Sequence, residues 1–220
     1  MDKVPREERM ELMKLYSLLC HLGNIYTINI RLPAHEVIKE LEPFVGDWKP
    51  YNPRKPGYKR FGLSLTSMDG GLSGVPDLDS VPEYNRINNT NYDEMDFNQP
   101  TEVLRACRSM APLFETFQGE LGRCHFLKFE TGGFFPPHRD TYGYPFNGFR
   151  FLSIIKGDPL QYTFLLEGKQ QSLHRGRVYF FNSMLEHAFF TYQGDVVILV
   201  MNVQLSEKAV TTVMKNLEIS

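Results

Sequence analysis

Apolar residues in the first stretch of the chain recur at helical spacing. Met10, Met13, Leu15, Leu18, Leu19 and Leu22 predict a helix over residues 6–22, which Gly23 and Asn24 stop. A short strand is expected at 25–32. A second helix should follow at 34–44, behind Pro33, with Val37, Ile38, Leu41 and Phe44 packing against a sheet. Over residues 48–100 the periodicity dissolves among prolines and glycines, and only one short strand, 59–66, is expected. The aromatics Trp48, Tyr51, Tyr58, Phe61, Tyr84 and Tyr92 gain most by burial, so this stretch reads as an ordered cover rather than a disordered loop. Helical pattern returns at 101–117, with Thr101 as N-cap and Pro112 as the expected break.

Beyond Gly119 the pattern is that of strands. Short β-branched and aromatic runs at 125–129, 149–155, 161–166, 171–175, 178–182, 188–192 and 196–203 are separated by turn signals such as Thr131-Gly132-Gly133 and Glu167-Gly168-Lys169. A last helix is expected at 206–217. This spacing predicts a mainly β fold with flanking helices, a sandwich or jelly roll. One domain is expected, with residues 1–119 as a helical and loop-rich support or lid, 120–205 as the core, and 206–220 as a closing helix.

Composition narrows the picture. The 220 residues are 42% hydrophobic and 13% aromatic, which excludes a disordered chain. A net charge of −2 gives no overall electrostatic reason to bind nucleic acid or an anionic membrane. Cys20, Cys107 and Cys124 are too widely spaced to suggest a disulfide framework or a zinc site. The start is too charged for a signal peptide, and the longest apolar run, at 196–201, is far below a membrane span. A soluble, cytoplasmic protein is the expectation.

The candidate chemistry lies in the strand-rich half. His138-Arg139-Asp140 follows a Gly-Gly turn, and His187 comes much later, after a further set of strands. In an extended segment the side chains of His138 and Asp140 point the same way, so both can reach one ion. Two histidines and a carboxylate form a facial triad of the kind that holds non-haem Fe(II) and leaves coordination positions open. Both imidazoles must be neutral to ligate, so activity should fall below about pH 6.

Here the chain resembles the catalytic core of the Fe(II)- and 2-oxoglutarate-dependent dioxygenases, nearest to the aspartyl/asparaginyl β-hydroxylase and free-proline hydroxylase group. Residues 129–140, 150–155 and 176–203 carry the likeness, which covers roughly 120–205; residues 1–119 match no family. The resemblance implies a double-stranded β-helix, a cupin-like jelly roll. It makes His138, Asp140 and His187 the iron ligands, and implies Fe(II), 2-oxoglutarate and O2 as cofactor and co-substrates. The implied reaction hydroxylates an unactivated C–H bond and releases succinate and CO2.

One departure matters. The family's basic residue about ten positions after the distal histidine would fall at Val196 or Val197, and no basic residue follows His187 until Lys208. A buried dicarboxylate needs a cation. Arg150 is the favoured substitute, with Lys156, Arg175 and Arg177 as rivals, and Ser153 and Tyr162 are expected to add hydroxyl donors.

Other features carry weaker signals. Lys49, Arg54, Lys55, Lys59 and Arg60 form a basic stretch without an acid, read as a solvated face or as a contact to nucleic acid or an acidic substrate. His125 reads as a core histidine with a local partner. Arg139 should point away from the metal. Phe134, Phe135, Tyr142, Tyr144 and Phe146 read as walls of a substrate pocket or as plain hydrophobic cover. The expected substrate is an amino acid, a peptide side chain or a small molecule; the alternatives are a dioxygenase of a nucleobase or small metabolite, and a non-catalytic metal-binding cupin-like module.

Overall fold

The computed structural model describes residues 5–140 and 147–218; Tyr142, Tyr144 and Phe146 lie outside them. The N-terminal part runs α1 (Arg6–His21), β1 (Ile25–Arg31), α2 (Ala34–Glu40), β2 (Lys49–Pro50), β3 (Arg60–Ser64), β4 (Thr66–Ser67), α3 (Val81–Asn88), β5 (Gln99–Pro100), α4 (Glu102–Ala106) and α5 (Ala111–Thr116). Then follow β6 (Leu121–Phe129), β7 (Phe134–His138), β8 (Gly148–Lys156), β9 (Tyr162–Leu166) and β10 (Lys169–Gln171). The chain ends with β11 (Arg177–Phe181), β12 (His187–Thr191), β13 (Val196–Gln204) and α6 (Glu207–Lys215).

A seven-stranded sheet has the order β1-β11-β8-β13-β6-β3-β2, and a four-stranded sheet the order β10-β9-β12-β7. Their pairings are antiparallel. From β6 to β13 the chain passes back and forth between the two sheets, so β11-β8-β13-β6 stands over β10-β9-β12-β7. That winding is a double-stranded β-helix, the jelly roll that the strand spacing led us to expect. The N-terminal strands widen the larger sheet at both edges, β1 beside β11 and β3 with β2 beside β6.

Two apolar layers hold the structure. One joins the sheets, with Leu127, Leu152, Ile154 and Ile198 facing Phe164 and Phe189. The other packs the outer face of the larger sheet, including Phe149, Phe151, Phe180 and Leu199, against Leu19 of α1, Val37 of α2 and Val213 of α6. Each fully buried phenylalanine contributes roughly 1.5–3 kcal/mol relative to an exposed one. The unbroken apolar run of β13 follows from this layering, because a strand covered on both faces has no solvent side for polar residues. On β8 alternation divides the side chains: Phe149, Phe151 and Ile155 face the helices, while Leu152 and Ile154 face the other sheet.

Several elements differ from the expectation, among them the two-residue strands β2, β4 and β5 within 48–100. β7 is a further strand that was not expected: it contains Pro136 and Pro137 but lies at the edge of its sheet, where a residue without an N–H is tolerated. The helical stretch at 101–117 is split at Cys107, and Pro112 opens α5 instead of breaking a longer helix, since the first turn needs no proline N–H. α3 forms within the irregular stretch, with Pro82 in its first turn. The strand expected at 171–175 is replaced by β10, because Glu167 and Gly168 take positive φ (48° and 70°) and turn the chain into a tight β9–β10 hairpin.

Candidate metal centre and its cavity

His138 ends β7 and His187 begins β12, and the two residues are register partners across these strands. Their ring centroids lie 4.2 Å apart. Asp140 leaves the end of β7, where its backbone N–H donates to Ser183 O at 2.8 Å. Its carboxylate oxygens stand 3.5 Å from His138 Nε2 and 3.9 Å from His187 Nε2. One donor atom from each residue falls within 4.8 Å of the others, in reach of a single ion.

The histidine tautomers follow from their partners. His138 Nδ1 is 2.8 Å from Pro136 O and His187 Nδ1 is 2.9 Å from Leu185 O. A carbonyl only accepts, so each Nδ1 carries the hydrogen and each Nε2 presents its lone pair to the centre. Burial, foremost, lowers the His187 pKa to about 4, which keeps this imidazole neutral. Burial would raise the Asp140 carboxyl, but the adjacent Arg150 guanidinium outweighs it and holds it well below the ordinary carboxylate range. Two lone pairs and a carboxylate facing one point are an arrangement that a cation satisfies. The mixed nitrogen and oxygen donor set fits a divalent transition metal such as Fe(II).

A buried polar chain backs the centre. Arg150 Nη1 donates to Asp140 Oδ2 at 2.5 Å, and Arg150 Nε donates to Asn202 Oδ1 at 2.8 Å. Asn202 Nδ2 donates to Glu94 Oε2 at 2.9 Å. Glu94 in turn accepts from Arg123 Nε and Nη2 at 2.6 and 2.9 Å, while Arg123 Nη1 reaches the carbonyls of Asp77 and Asp79. The Asp79 carboxylate accepts two hydrogen bonds from Arg54. The chain thus runs from the metal centre through the larger sheet into residues 77–94. Arg123, Asn202 and Glu94 carry no motif in the sequence and became visible only when the fold joined them.

The centre opens into a cavity of about 300 Å³. Leu127, Leu152, Phe164, Phe181, Ile198 and Val200 give it an apolar floor, and Tyr51, Lys55, Tyr58, Ser80 and Pro82 form part of its wall. The stretch read as a cover therefore contributes directly to the site. His125 and Arg60 also line the cavity. Tyr51 lies against His125, with ring centroids 5.2 Å apart, but among the described residues His125 Nδ1 has no hydrogen-bond partner, unlike the locally bonded core histidine expected.

The remaining expected residues divide clearly. Arg150 lines the cavity beside the metal ligands, and Arg139 also borders it, 3.6 Å from Glu167 Oε1. Ser153 does not line the cavity. It pairs with Leu199 on the helix-facing side of β8, because strand alternation turns it away from Arg150 and Leu152. Tyr162 is likewise outside the cavity lining; its hydroxyl donates to Leu173 O at 2.9 Å and its ring stacks on Phe189. Lys156, Arg175 and Arg177 do not line it either: Lys156 pairs with Asp195 and Arg177 with Glu218. The basic stretch is not one solvated face, since Arg54 and Lys55 pair with Glu83 of α3 and Arg60 is buried in the cavity.

No family model matches the chain, and no curated protein does. Among solved structures it is similar to a predicted oxalate decarboxylase from Thermotoga maritima, at 19% identity and a TM-score of 0.32, over 42% of this chain and 74% of that one. It is also similar to an RmlC-like cupin protein from Desulfovibrio desulfuricans (18% identity, TM-score 0.30, 38% of this chain and 72% of that one). A third similarity is to salicylate 1,2-dioxygenase from Pseudoaminobacter salicylatoxidans, at 11% identity and a TM-score of 0.30, over 44% of this chain and 23% of that one. Among the described residues, no helix is long and apolar enough to cross a membrane.

Proposed function

We propose that the protein is an Fe(II)- and 2-oxoglutarate-dependent oxygenase that hydroxylates an unactivated C–H bond of an amino acid or peptidyl side chain. In this reading residues 120–205 are the catalytic core of a single cytoplasmic domain, supported by residues 1–119. The observation that carries it is the convergence of the two Nε2 lone pairs and the Asp140 carboxylate beside an apolar cavity. His138, Asp140 and His187 would hold the metal, which with 2-oxoglutarate and O2 supplies the oxidising chemistry and leaves succinate and CO2.

The chain's own residues have definable tasks. The carbonyls of Pro136 and Leu185 fix the ring orientation and tautomer of the two histidines. Arg150 offsets the charge of Asp140 and holds its carboxylate toward the centre. The apolar floor excludes water from the reacting region. The amino-acid substrate class rests on the motif resemblance.

A second reading, a metal-holding module without turnover, draws on one observation. Val196 and Val197, where the resembling enzymes keep a cation for the far carboxylate, are apolar and buried in the two layers. Succinate release from 2-oxoglutarate with Fe(II) and ascorbate separates the two. Turnover that disappears in His138→Ala supports the oxygenase, whereas tight metal binding with no 2-oxoglutarate consumption refutes it in favour of the module.

A further inference from the structure

Arg60 and Arg123 are both buried in the cavity wall, at 5% and 4% exposure, but their surroundings differ. Arg123 is satisfied by both oxygens of Glu94 and by two carbonyls. Arg60 has no carboxylate within ion-pair distance among the described residues. Among the described residues its polar contact is a 3.5 Å approach of Nη1 to Phe134 O, and its Nε has no hydrogen-bond partner. The other acids lining the cavity are already engaged, Asp140 by Arg150 and Glu94 by Arg123 and Asn202.

A buried guanidinium without an anion is costly, and a fold does not retain one for packing alone. Burial lowers the Arg60 pKa to about 10, so it remains charged at neutral pH. Its position is fixed by aromatic faces: the guanidinium carbon lies 3.6 Å from the Phe135 ring centroid, 4.8 Å from that of Tyr58 and 5.2 Å from that of Tyr51. Rings hold a guanidinium by its face and leave its edge donors free, which is the presentation that suits a carboxylate. His125 stands on the neighbouring strand, likewise buried at 2% exposure, with a ring nitrogen that has no partner among the described residues. Both residues meet Tyr51.

We infer that Arg60 is the carboxylate-binding group of this cavity, with His125 lining the same cavity and meeting the same Tyr51 ring. It receives either the far carboxylate of the 2-oxoacid or a carboxylate of the substrate. The assignment rests on the cavity being the co-substrate and substrate site of the preceding section. It explains how the site manages without a cation on β13: the charge comes from β3, which lies beyond β6 in the same sheet.

Calorimetric titration of the zinc-loaded full-length protein tests this without turnover. The ligands are 2-oxoglutarate, pyruvate (which lacks the far carboxylate), and succinate added to protein saturated with 2-oxoglutarate. Arg60→Gln is compared with wild type, and Arg60→Lys, which keeps the charge, is the second variant should the first fail to fold. If Arg60 holds the co-substrate, Arg60→Gln weakens 2-oxoglutarate about 10- to 100-fold, leaves pyruvate unchanged, and Arg60→Lys recovers part of the loss. If it holds the substrate, 2-oxoglutarate binds normally and the succinate isotherm is lost. Equal weakening of 2-oxoglutarate and pyruvate, or no change with any ligand, overturns the inference. Wild-type protein that binds zinc but no 2-oxoglutarate refutes the oxygenase reading instead, and succinate titrated into the zinc-loaded protein without 2-oxoglutarate then decides the role of Arg60.

Discussion

Asn202 and Arg150 are register partners across β13 and β8 and share a hydrogen bond of 2.8 Å. Because Asn202 also donates to Glu94, its amide links the guanidinium at the metal centre to the Glu94–Arg123 pair. Asn202→Leu keeps a similar volume but leaves a donor of Arg150 and an oxygen of Glu94 short of a partner. The expected loss is about 1–3 kcal/mol of stability, which for a chain of this size lowers Tm by roughly 2–10 °C. A thermal unfolding curve superimposable on wild type would show that the polar chain is energetically idle.

Removing a metal ligand should be visible before any activity is measured. A divalent ion that binds only the folded state raises its stability, by about 2.7 kcal/mol at a hundredfold excess over Kd. Wild-type protein should therefore melt higher with Fe(II) under anaerobic conditions, or with Zn(II). His187→Ala and Asp140→Ala should each abolish that increase. A ligand variant that retains the full metal-induced shift would place the ion elsewhere.

Acid should weaken the metal-free protein in a defined window. Burial, with Arg123 and Arg150 adding, lowers the His125 pKa well below 6.5, and burial lowers His187 to about 4. Above pH 6.5 neither the folded nor the unfolded chain protonates these rings, and stability is at its full value. Between pH 6.5 and 4 the unfolded chain takes up protons that the folded one refuses, so stability falls with pH. The slope approaches about 1.4 kcal/mol per pH unit for each histidine. Urea unfolding at pH 7, 6 and 5 measures it, and His125→Gln should remove roughly half of the slope.

The turn that leads into β7 tolerates no side chain at Gly133. A Cβ there would stand 2.6 Å from Lys59 O and 2.9 Å from Glu130 O, both backbone atoms. Gly133→Ala must push apart β7 and the start of β3, at a cost of about 1–3 kcal/mol. Because the shift separates Arg60 from Phe135, ligand affinity should fall along with Tm. Unchanged values for both would mean that the turn relaxes locally.

Legibility in the sequence followed the locality of the signal. β13 announced itself as an uninterrupted apolar run, and His138-x-Asp140 announced a shared face, because both depend on neighbours in the chain. β7 was hidden by its two prolines, whose tolerance depends on its edge position and not on its own residues. Ser153 was assigned to the site through proximity to Arg150 in sequence, but one residue along a strand reverses the face. Arg60 was grouped with its basic neighbours, and nothing local distinguished it. Its burial depends on β3 pairing with β6, a contact between residues 60 and 129. The Arg123–Glu94–Asn202 links join three distant parts of the chain and leave no periodic trace.

The attachment of β3 to β6 also decides what can be cut away. A fragment limited to residues 120–205 would retain all three candidate metal ligands, yet it would lose Tyr51, Arg60 and Glu94 and uncover the long flank of β6. Its unpaired amides and carbonyls would be free to recruit another strand. Such an excised barrel should self-associate; because β1 covers the opposite edge at β11, a minimal version that keeps both edges paired has to begin upstream of β1.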